Sequence, residues 1–114
     1  MPRLSTHVLD TANGRPAAGM RIRLYACIGD TRRLLNTATT NADGRTGEPL
    51  LEGHGLAAGV YELVFSVGDY FGIPDEVPPF LGEVVVRFGV AGAEANYHVP
   101  LLVSPYGYST YRGS

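Results

Sequence analysis

Glycine and proline interrupt this sequence at short intervals, and that spacing constrains the fold more than any other feature. The 114 residues include 15 glycines and 8 prolines, which are spread along the chain and not gathered in a linker. Between them lie short runs of β-branched and aromatic residues, which favour strands. Strands and turns at such intervals are typical of an all-β sandwich. We therefore predict a single all-β domain over residues 1–114, a length that suits one domain.

Alternation of apolar and polar residues predicts where the strands lie. Within residues 20–26, Ile22 and Leu24 point to one face while the neighbouring arginines point to the other. The stretch 69–80 holds three prolines and can form at most a short helix. Pro100 falls inside a strand, which indicates an edge, a bulge or an irregular ladder there. The predicted strands, in chain order, are 6–10, 20–26, 33–40, a short element near 45–51, 60–67, 83–90, 96–104 and 108–112.

The charged residues exclude several classes of partner and mechanism. The formal net charge is −2, so we expect neither a nucleic acid nor a membrane as a partner. All nine basic residues are arginines, which excludes a lysine Schiff base or a lysine general base. Residues 1–7 lack the apolar stretch of a secretory signal, and no apolar run is long enough to span a bilayer. These features predict a cytoplasmic protein.

Cys27 is the single cysteine of the chain. One cysteine excludes an intrachain disulfide and a zinc site built from cysteines. Because Cys27 lies in the apolar run 24–28, we interpret it as a thiol packed in the core.

Two histidines in separate predicted strands are candidates for proton transfer. His7 lies in the first strand and His98 in the seventh. The imidazole pKa of about 6.5 suits proton transfer near neutral pH. Two such rings, brought together by strand pairing, could serve as base and acid. Taken singly, each histidine fits better as a hydrogen-bonded or solvated residue on a strand face.

Arg45 and the tyrosine-rich end of the chain are further candidates. Arg45 follows an Asp-Gly turn, and its guanidinium could hold a planar urea-like edge or stabilise charge on a carbonyl oxygen. A solvated arginine at the end of a turn is the alternative. Tyr106, Tyr108 and Tyr111 crowd the last nine residues. They are either strand formers on a half-buried face or part of an ordered tail that carries polar groups into a site.

Five stretches, which include Leu4–Asp10 at the beginning of the chain and Ser104–Ser114 at its end, resemble the 5-hydroxyisourate hydrolases of the transthyretin-related family. The beginning of the chain resembles their opening signature, and its end resembles their closing signature. The Tyr-Arg-Gly-Ser ending is the most specific piece, because the hormone-carrier branch of the same fold ends differently. The resemblance covers essentially the whole chain. The stretches are Leu4-Ser5-Thr6-His7-Val8-Leu9-Asp10, Asp43-Gly44-Arg45, Gly68-Asp69-Tyr70-Phe71, Tyr97-His98-Val99-Pro100 and Ser104-Pro105-Tyr106-Gly107-Tyr108-Ser109-Thr110-Tyr111-Arg112-Gly113-Ser114.

This resemblance implies both an architecture and an activity. The architecture is a transthyretin-like two-sheet sandwich of seven to eight strands, with one short helix after the fifth strand. The assembly is a homotetramer, a dimer of dimers, with active sites at the dimer–dimer interface where the faces bearing His7 and His98 meet. The activity is hydrolysis of 5-hydroxyisourate to 2-oxo-4-hydroxy-4-carboxy-5-ureidoimidazoline in urate catabolism, without a metal or another cofactor.

The resemblance also implies which residues act. His7, Arg45, His98 and Ser114 are the expected catalytic residues, and Tyr111 joins His7 and Arg45 in binding the substrate. We assign His98 as the base that activates water, with the nearby cation Arg45 keeping its ring neutral. His7 and the Ser114 hydroxyl would position the substrate and pass a proton to the leaving nitrogen. The division of roles between the two histidines is left open.

Two other functions fit a sandwich of this kind. The first is a transthyretin-like carrier that binds a small ligand in a channel between dimers, since fold alone does not decide function. Titratable rings and a bulky phenol suit a small polar heterocycle better than a hormone channel, which favours the enzyme. The second is a structural or interaction module, which would leave the polar residues at both chain ends unexplained.

Overall fold

The computed structural model describes residues 2–74, 76–92 and 95–113. Over these residues the chain forms eleven strands, one turn of 3-10 helix at Gly53–Gly55 and one short α-helix, α1, at Val67–Tyr70. The strands are β1 Arg3–Ser5, β2 Val8–Asp10, β3 Arg15–Pro16, β4 Arg21–Ile28, β5 Thr31–Thr39, β6 Leu51–Glu52, β7 Gly59–Ser66, β8 Glu83–Val90, β9 Tyr97–His98, β10 Leu101–Ser104 and β11 Gly107–Thr110.

The four longest strands form one antiparallel sheet in the order β5-β4-β7-β8, which we call the regular sheet. Its strands run for eight or nine residues, and its pairing is interrupted only by a register shift at Leu24 and Tyr25 among the described residues. Ile22 and Leu24 are fully buried while Arg21 is exposed, which confirms the predicted alternation. Residues 83–90 form a strand with the predicted bounds.

The remaining strands form the second layer, which we call the interrupted sheet. It consists of two hydrogen-bonded groups, β6-β1-β9 and β11-β10-β2-β3. In both groups the strand near the beginning of the chain pairs in parallel with a strand near its end, β1 with β9 and β2 with β10. Backbone bonds from Val99 N to Ser5 O and from Leu101 N to His7 O, both 2.9 Å, link the two groups into one layer.

Two strands predicted as continuous are broken in this layer. The predicted strand 6–10 is wrong in its bounds, because β1 and β2 flank Thr6 and His7. The predicted strand 96–104 is broken at Val99 and Pro100, which confirms an irregular ladder at the proline. A proline has no N–H to donate, so the ladder cannot continue through residue 100.

The core lies between the two sheets. Leu4, Val8 and Leu101 from the interrupted sheet pack in one cluster with Leu63 and Phe65 from the regular sheet, and all five are fully buried. Burying a large apolar side chain of this kind stabilises the fold by about 1.5–3 kcal/mol each. The sandwich is therefore the arrangement that lets both alternating sheets remove their apolar faces from water.

Helix α1 follows the strand predicted as fifth, as expected. Tyr70 anchors it to the interrupted sheet, because its hydroxyl donates to Oδ2 of Asp10 over 2.7 Å. Asp10 is 1 % exposed, and this burial acts to raise the pKa of its carboxyl. The Asn13 side chain, the Tyr70 hydroxyl and the backbone N–H groups of Asn13 and Ala12 all donate to the carboxyl, and together they lower its pKa below the ordinary value. None of the helices in the described part of the chain is long and apolar enough to cross a membrane.

The interpretation of Cys27 as a thiol packed in the core is wrong, because the residue is only half-buried. It lies near the end of β4, where it is half-buried and lines a surface groove with Asp30, Arg32 and Arg87. Burial decreases along the apolar run 24–28, from a fully buried Leu24 to an exposed residue at the end of β4. Ile28 is 61 % exposed.

Candidate active site

His7 lies at the break between β1 and β2. Its backbone forms an isolated antiparallel bridge with Arg45, and its Nε2 lies 2.9 Å from the carbonyl oxygen of Asp43. Because a carbonyl oxygen can only accept, Nε2 of His7 carries the hydrogen. The nitrogen that remains for chemistry at this ring is Nδ1.

The turn before Arg45 packs tightly against Val8, the first residue of the strand that follows His7. Gly44 has φ +74°, and a Cβ on it would lie 2.4 Å from the carbonyl oxygen of Val8. Its own carbonyl accepts from Val8 N over 2.8 Å. Asn41 closes the turn, since its N–H donates to Arg45 O over 2.8 Å. Only glycine fits this approach, so the exposed Arg45 side chain starts from a fixed backbone position.

His98 lies in β9, directly beside β1. The register pairs it with Ser5, and Oγ of Ser5 lies 2.9 Å from Nδ1 of His98. Both side chains are half-buried. Thr6 is buried whereas Ser5 and His7 on either side of it are half-buried, so the alternation continues across the break and Ser5 and His7 point to the same side of the layer. The pairing of β1 with β9 thus places both histidines on one surface of the layer.

The tail of the chain crosses His98 on the side opposite Ser5. Gly113 N donates to His98 O over 2.7 Å in an isolated antiparallel bridge. A Cβ on Gly113 would lie 2.6 Å from Cδ2 of the His98 ring and 3.2 Å from its Cγ. No side chain fits in that space unless the ring or the tail moves. Ser114 lies outside the described residues.

Burial and two neighbouring groups lower the pKa of His98 below its ordinary value of 6.5. Burial contributes most, followed by the charge of Arg45 and then that of His7. All three effects disfavour the imidazolium form. These interactions join His98, Arg45 and His7 in one electrostatic unit, and they keep His98 neutral and able to accept a proton near neutral pH.

Within one chain, Tyr111 does not line the same groove as His7, Arg45 or His98. Its ring is 58 % exposed and lines a groove of about 210 Å³. Tyr97, Val99 and Arg112 also line this groove, and the guanidinium of Arg112 lies 4.3 Å from the centre of the Tyr97 ring. Among the described residues, the lining of the groove includes neither histidine nor Arg45.

A second groove opens beside Arg45. It encloses about 230 Å³ and is lined by Arg3, Ser5, Arg45 and Glu48 among others. Ser5 therefore contacts both the groove and His98. Sequence reasoning did not single out Ser5 or Gly113 as individual site residues. Period-two alternation with His7 could have suggested Ser5, but the contact of Gly113 depends on the tail crossing His98.

The expectation that no metal takes part stays a prediction. Within residues 2–74, 76–92 and 95–113, no group of three or more His, Cys, Asp or Glu side chains could hold a metal ion.

Comparison with known sequences identifies the relatives of this chain. Residues 4–113 match the model of the HIUase/transthyretin family. The 5-hydroxyisourate hydrolase 2 of Rhizobium meliloti is 61% identical over 115 residues, which cover 98% of this chain and 96% of the relative. The 5-hydroxyisourate hydrolase of Pseudomonas aeruginosa is 53% identical over 117 residues, which cover 100% of this chain and 93% of the relative.

Solved structures with similar folds include two enzymes and a transthyretin. The (S)-allantoin synthase structure superposes with a TM-score of 0.90 at 44% identity, and the match covers 99% of this chain and 44% of that larger chain. The Klebsiella pneumoniae 5-hydroxyisourate hydrolase has a TM-score of 0.81 at 34% identity, and both chains are covered completely. Transthyretin from Sparus aurata has a TM-score of 0.86 at 25% identity, with 99% and 97% covered.

Proposed function

The chain belongs to the HIUase/transthyretin family, and we propose that it hydrolyses 5-hydroxyisourate in urate catabolism. The observation that carries this function is that His7, Arg45 and His98 lie close together on one surface of the chain. The relatives that match the chain over nearly its full length are 5-hydroxyisourate hydrolases. Water attacks a ring carbonyl of the substrate and the adjacent C–N bond breaks. The product is 2-oxo-4-hydroxy-4-carboxy-5-ureidoimidazoline.

His98 is the general base in this proposal. Its lowered pKa supports the role, since a ring that stays neutral near pH 7 can take a proton from the attacking water. Its Nδ1 is bonded to Ser5, so the proton is accepted at Nε2. A positioned general base contributes roughly 10²–10⁴-fold to a rate.

His7 serves as the proton donor to the leaving nitrogen. Its Nε2–H stays bonded to the carbonyl oxygen of Asp43, so the transferred proton leaves from Nδ1, and the ring acts as an imidazolium that becomes neutral when it donates. The bond to Asp43 fixes the plane of the ring while Nδ1 gives up its proton. Ser114 assists His7 in positioning the substrate and passing this proton.

Arg45 holds the substrate and stabilises the oxyanion that forms during attack. Its guanidinium is the cation that acts most strongly on His98, and its backbone is fixed by the Gly44 turn. A guanidinium held in place beside a carbonyl oxygen stabilises the developing negative charge without having to reorganise. Tyr111 lines the pocket and helps to close it.

The sites lie between copies of the chain in the proposed homotetramer. The exposure of Arg45 and Tyr111 supports this arrangement, because the surface of a single chain leaves the reacting groups open to water. A second copy across this surface would close the pocket and bring a tyrosine to it. Sedimentation of the protein as a monomer would contradict this assembly. A cytoplasmic location and a single domain over 1–114 stay predictions.

A transthyretin-like carrier is less well supported than the hydrolase. The transthyretin of Sparus aurata is 25% identical to this chain, whereas the two hydrolase relatives are 61% and 53% identical. A carrier also has no need of a base held neutral beside an arginine.

The test is the ultraviolet decay of freshly generated 5-hydroxyisourate with wild-type protein, with His98→Asn and with no protein. We expect the wild type to accelerate the decay, and His98→Asn to lose roughly 10²–10⁴-fold of that acceleration while its unfolding transition is retained. If correctly assembled wild-type protein gives no acceleration, the hydrolase function is wrong and the carrier becomes the better proposal.

A further inference from the structure

Ser5 contacts His98 directly, and the direction of the hydrogen bond between them decides which ring nitrogen carries the hydrogen. Its Oγ lies 2.9 Å from Nδ1 of the ring. The residues on either side fix its place, since Leu4 is fully buried in the core and Thr6 donates to Val99 O over 2.6 Å. The hydroxyl is therefore presented to the ring from a strand that cannot easily shift.

The ring of His98 is held along two edges. Ser5 meets Nδ1, and Gly113 approaches the Cδ2 edge so closely that a Cβ would lie 2.6 Å away. Among the hydrogen bonds of the described residues, none involves Nε2 of His98. This geometry leaves Nε2 as the nitrogen that can meet a substrate or a water molecule.

We propose that Ser5 is a positioning residue that accepts a hydrogen bond from Nδ1–H of His98 and so fixes the tautomer with a lone pair on Nε2. The inference rests on the proposed function, because a base at Nε2 needs that lone pair. The hydrogen bond made by one ring nitrogen decides which nitrogen carries the proton. Burial and Arg45 lower the pKa of this ring, so a neutral tautomer, and not the imidazolium, is the form that Ser5 selects.

The opposite hydrogen-bond direction has a different chemical consequence. If the Ser5 hydroxyl donated to Nδ1, the hydrogen of the ring would sit on Nε2, and His98 could only donate to the substrate. The tautomer thus distinguishes a His98 base from a His98 donor. A hydrogen on Nε2 of a neutral His98 would therefore exclude this ring as the general base.

The direct measurement is nitrogen NMR of the wild-type protein labelled with ¹⁵N-histidine. The chain has three histidines, and the signals of His98 are identified by their loss in His98→Asn. At about pH 8, above the ordinary imidazole pKa, we expect His98 to show a protonated Nδ1 and an unprotonated Nε2. His54 is exposed on the surface and serves as the internal reference.

Variants of Ser5 connect the tautomer to the rate. Ser5→Ala should shift the His98 proton toward Nε2 and lower kcat about tenfold, with KM changed less than about twofold. Ser5→Thr keeps the hydroxyl on a strand that accepts β-branched residues, so it should restore both the tautomer and kcat. Thr39→Ala removes an exposed hydroxyl from the regular sheet and should change neither.

A wild-type spectrum with the proton on Nε2 of His98 would overturn the proposal, and so would an unchanged tautomer in Ser5→Ala. The wild-type spectrum does not depend on Ser5→Ala folding correctly. It also does not depend on the substrate. Absence of 5-hydroxyisourate hydrolysis would contradict the proposed function alone, whereas a wrong tautomer in an active enzyme would contradict the role of Ser5 alone.

Discussion

The two sheets of this sandwich differ in the continuity of their strands. The regular sheet pairs strands of eight or nine residues along their length, whereas the strands of the interrupted sheet have two to four residues. The breaks in the second sheet fall at Thr6 and His7 on one strand and just after His98 on its parallel neighbour. The proposed catalytic side chains thus lie where the ladder is interrupted.

At each break, the backbone pairs with a segment that a continuous strand would not contact. At His7 the partner is the turn that carries Arg45, and at His98 it is the tail that carries Gly113. Both bring a distant segment of the chain to within hydrogen-bond distance of a histidine. The regular sheet supplies rigidity to this arrangement, and the interrupted sheet supplies the positions where segments meet.

Truncating the core of the regular sheet should have the largest effect on stability. Phe65 is fully buried, and Phe65→Ala should lower the free energy of unfolding by about 3–5 kcal/mol. The rate per folded molecule should stay close to that of the wild type, because no catalytic group is attached to this strand. Denaturant unfolding and 5-hydroxyisourate decay on the same sample measure both quantities. A rate that fell far more than the folded fraction would contradict this separation of the sheets.

The turn beneath Val8 should respond to substitution in both stability and rate. In Gly44→Ala the new Cβ would meet the Val8 carbonyl, so we expect a loss of about 3 kcal/mol in the free energy of unfolding together with a lower rate, since Arg45 must move. Gly14 is a matched control, because its φ of +69° is similar and nothing lies within 4 Å of its added Cβ.

Gly14→Ala should lower the free energy of unfolding by only about 1 kcal/mol, which is the cost of a side chain at positive φ, and should retain the wild-type rate. Thermal unfolding and initial rates of the two variants give the comparison. Equal losses in Gly14→Ala and Gly44→Ala would mean that the contact with Val8 does not fix the turn.

The electrostatic coupling within the interrupted sheet predicts the pH dependence. His98 acts as a base in its neutral form, so activity falls as pH drops through its pKa, which burial, Arg45 and His7 hold below 6.5. Arg45→Gln removes one of these cations, so the pKa of His98 rises and the acid limb of kcat/KM moves to higher pH. Arg21→Gln, an exposed substitution on the regular sheet, should leave the limb in place. An unmoved limb in Arg45→Gln would contradict the coupling.

The regular sheet could be predicted from sequence more closely than the interrupted one. Alternation gives Glu83–Val90 with its observed bounds and the buried face of Ile22 and Leu24, because long paired strands keep a period of two. The break at His7 leaves no such signal. Thr6 is buried and His7 half-buried, so the alternation continues through a residue whose backbone has left the ladder.

The site could be predicted only in part. The resemblance at both chain ends identifies His7, Arg45 and His98, and the structure brings these three together. The contacts of Ser5 and Gly113 depend on the parallel register of β1 with β9 and on the path of the tail. These are long-range features, and local sequence patterns do not encode them.

The central claim is that segments meeting at the breaks hold the catalytic rings in place, and Gly113→Ala tests it most directly. Gly113 is not one of the described glycines that have a positive φ, so alanine can adopt its backbone conformation. The substitution therefore adds only the contact with the His98 ring. We would measure kcat for 5-hydroxyisourate and the unfolding midpoint of this variant beside the wild type. The account predicts a kcat at least about tenfold lower, with the midpoint nearly unchanged. A wild-type kcat in Gly113→Ala would contradict it.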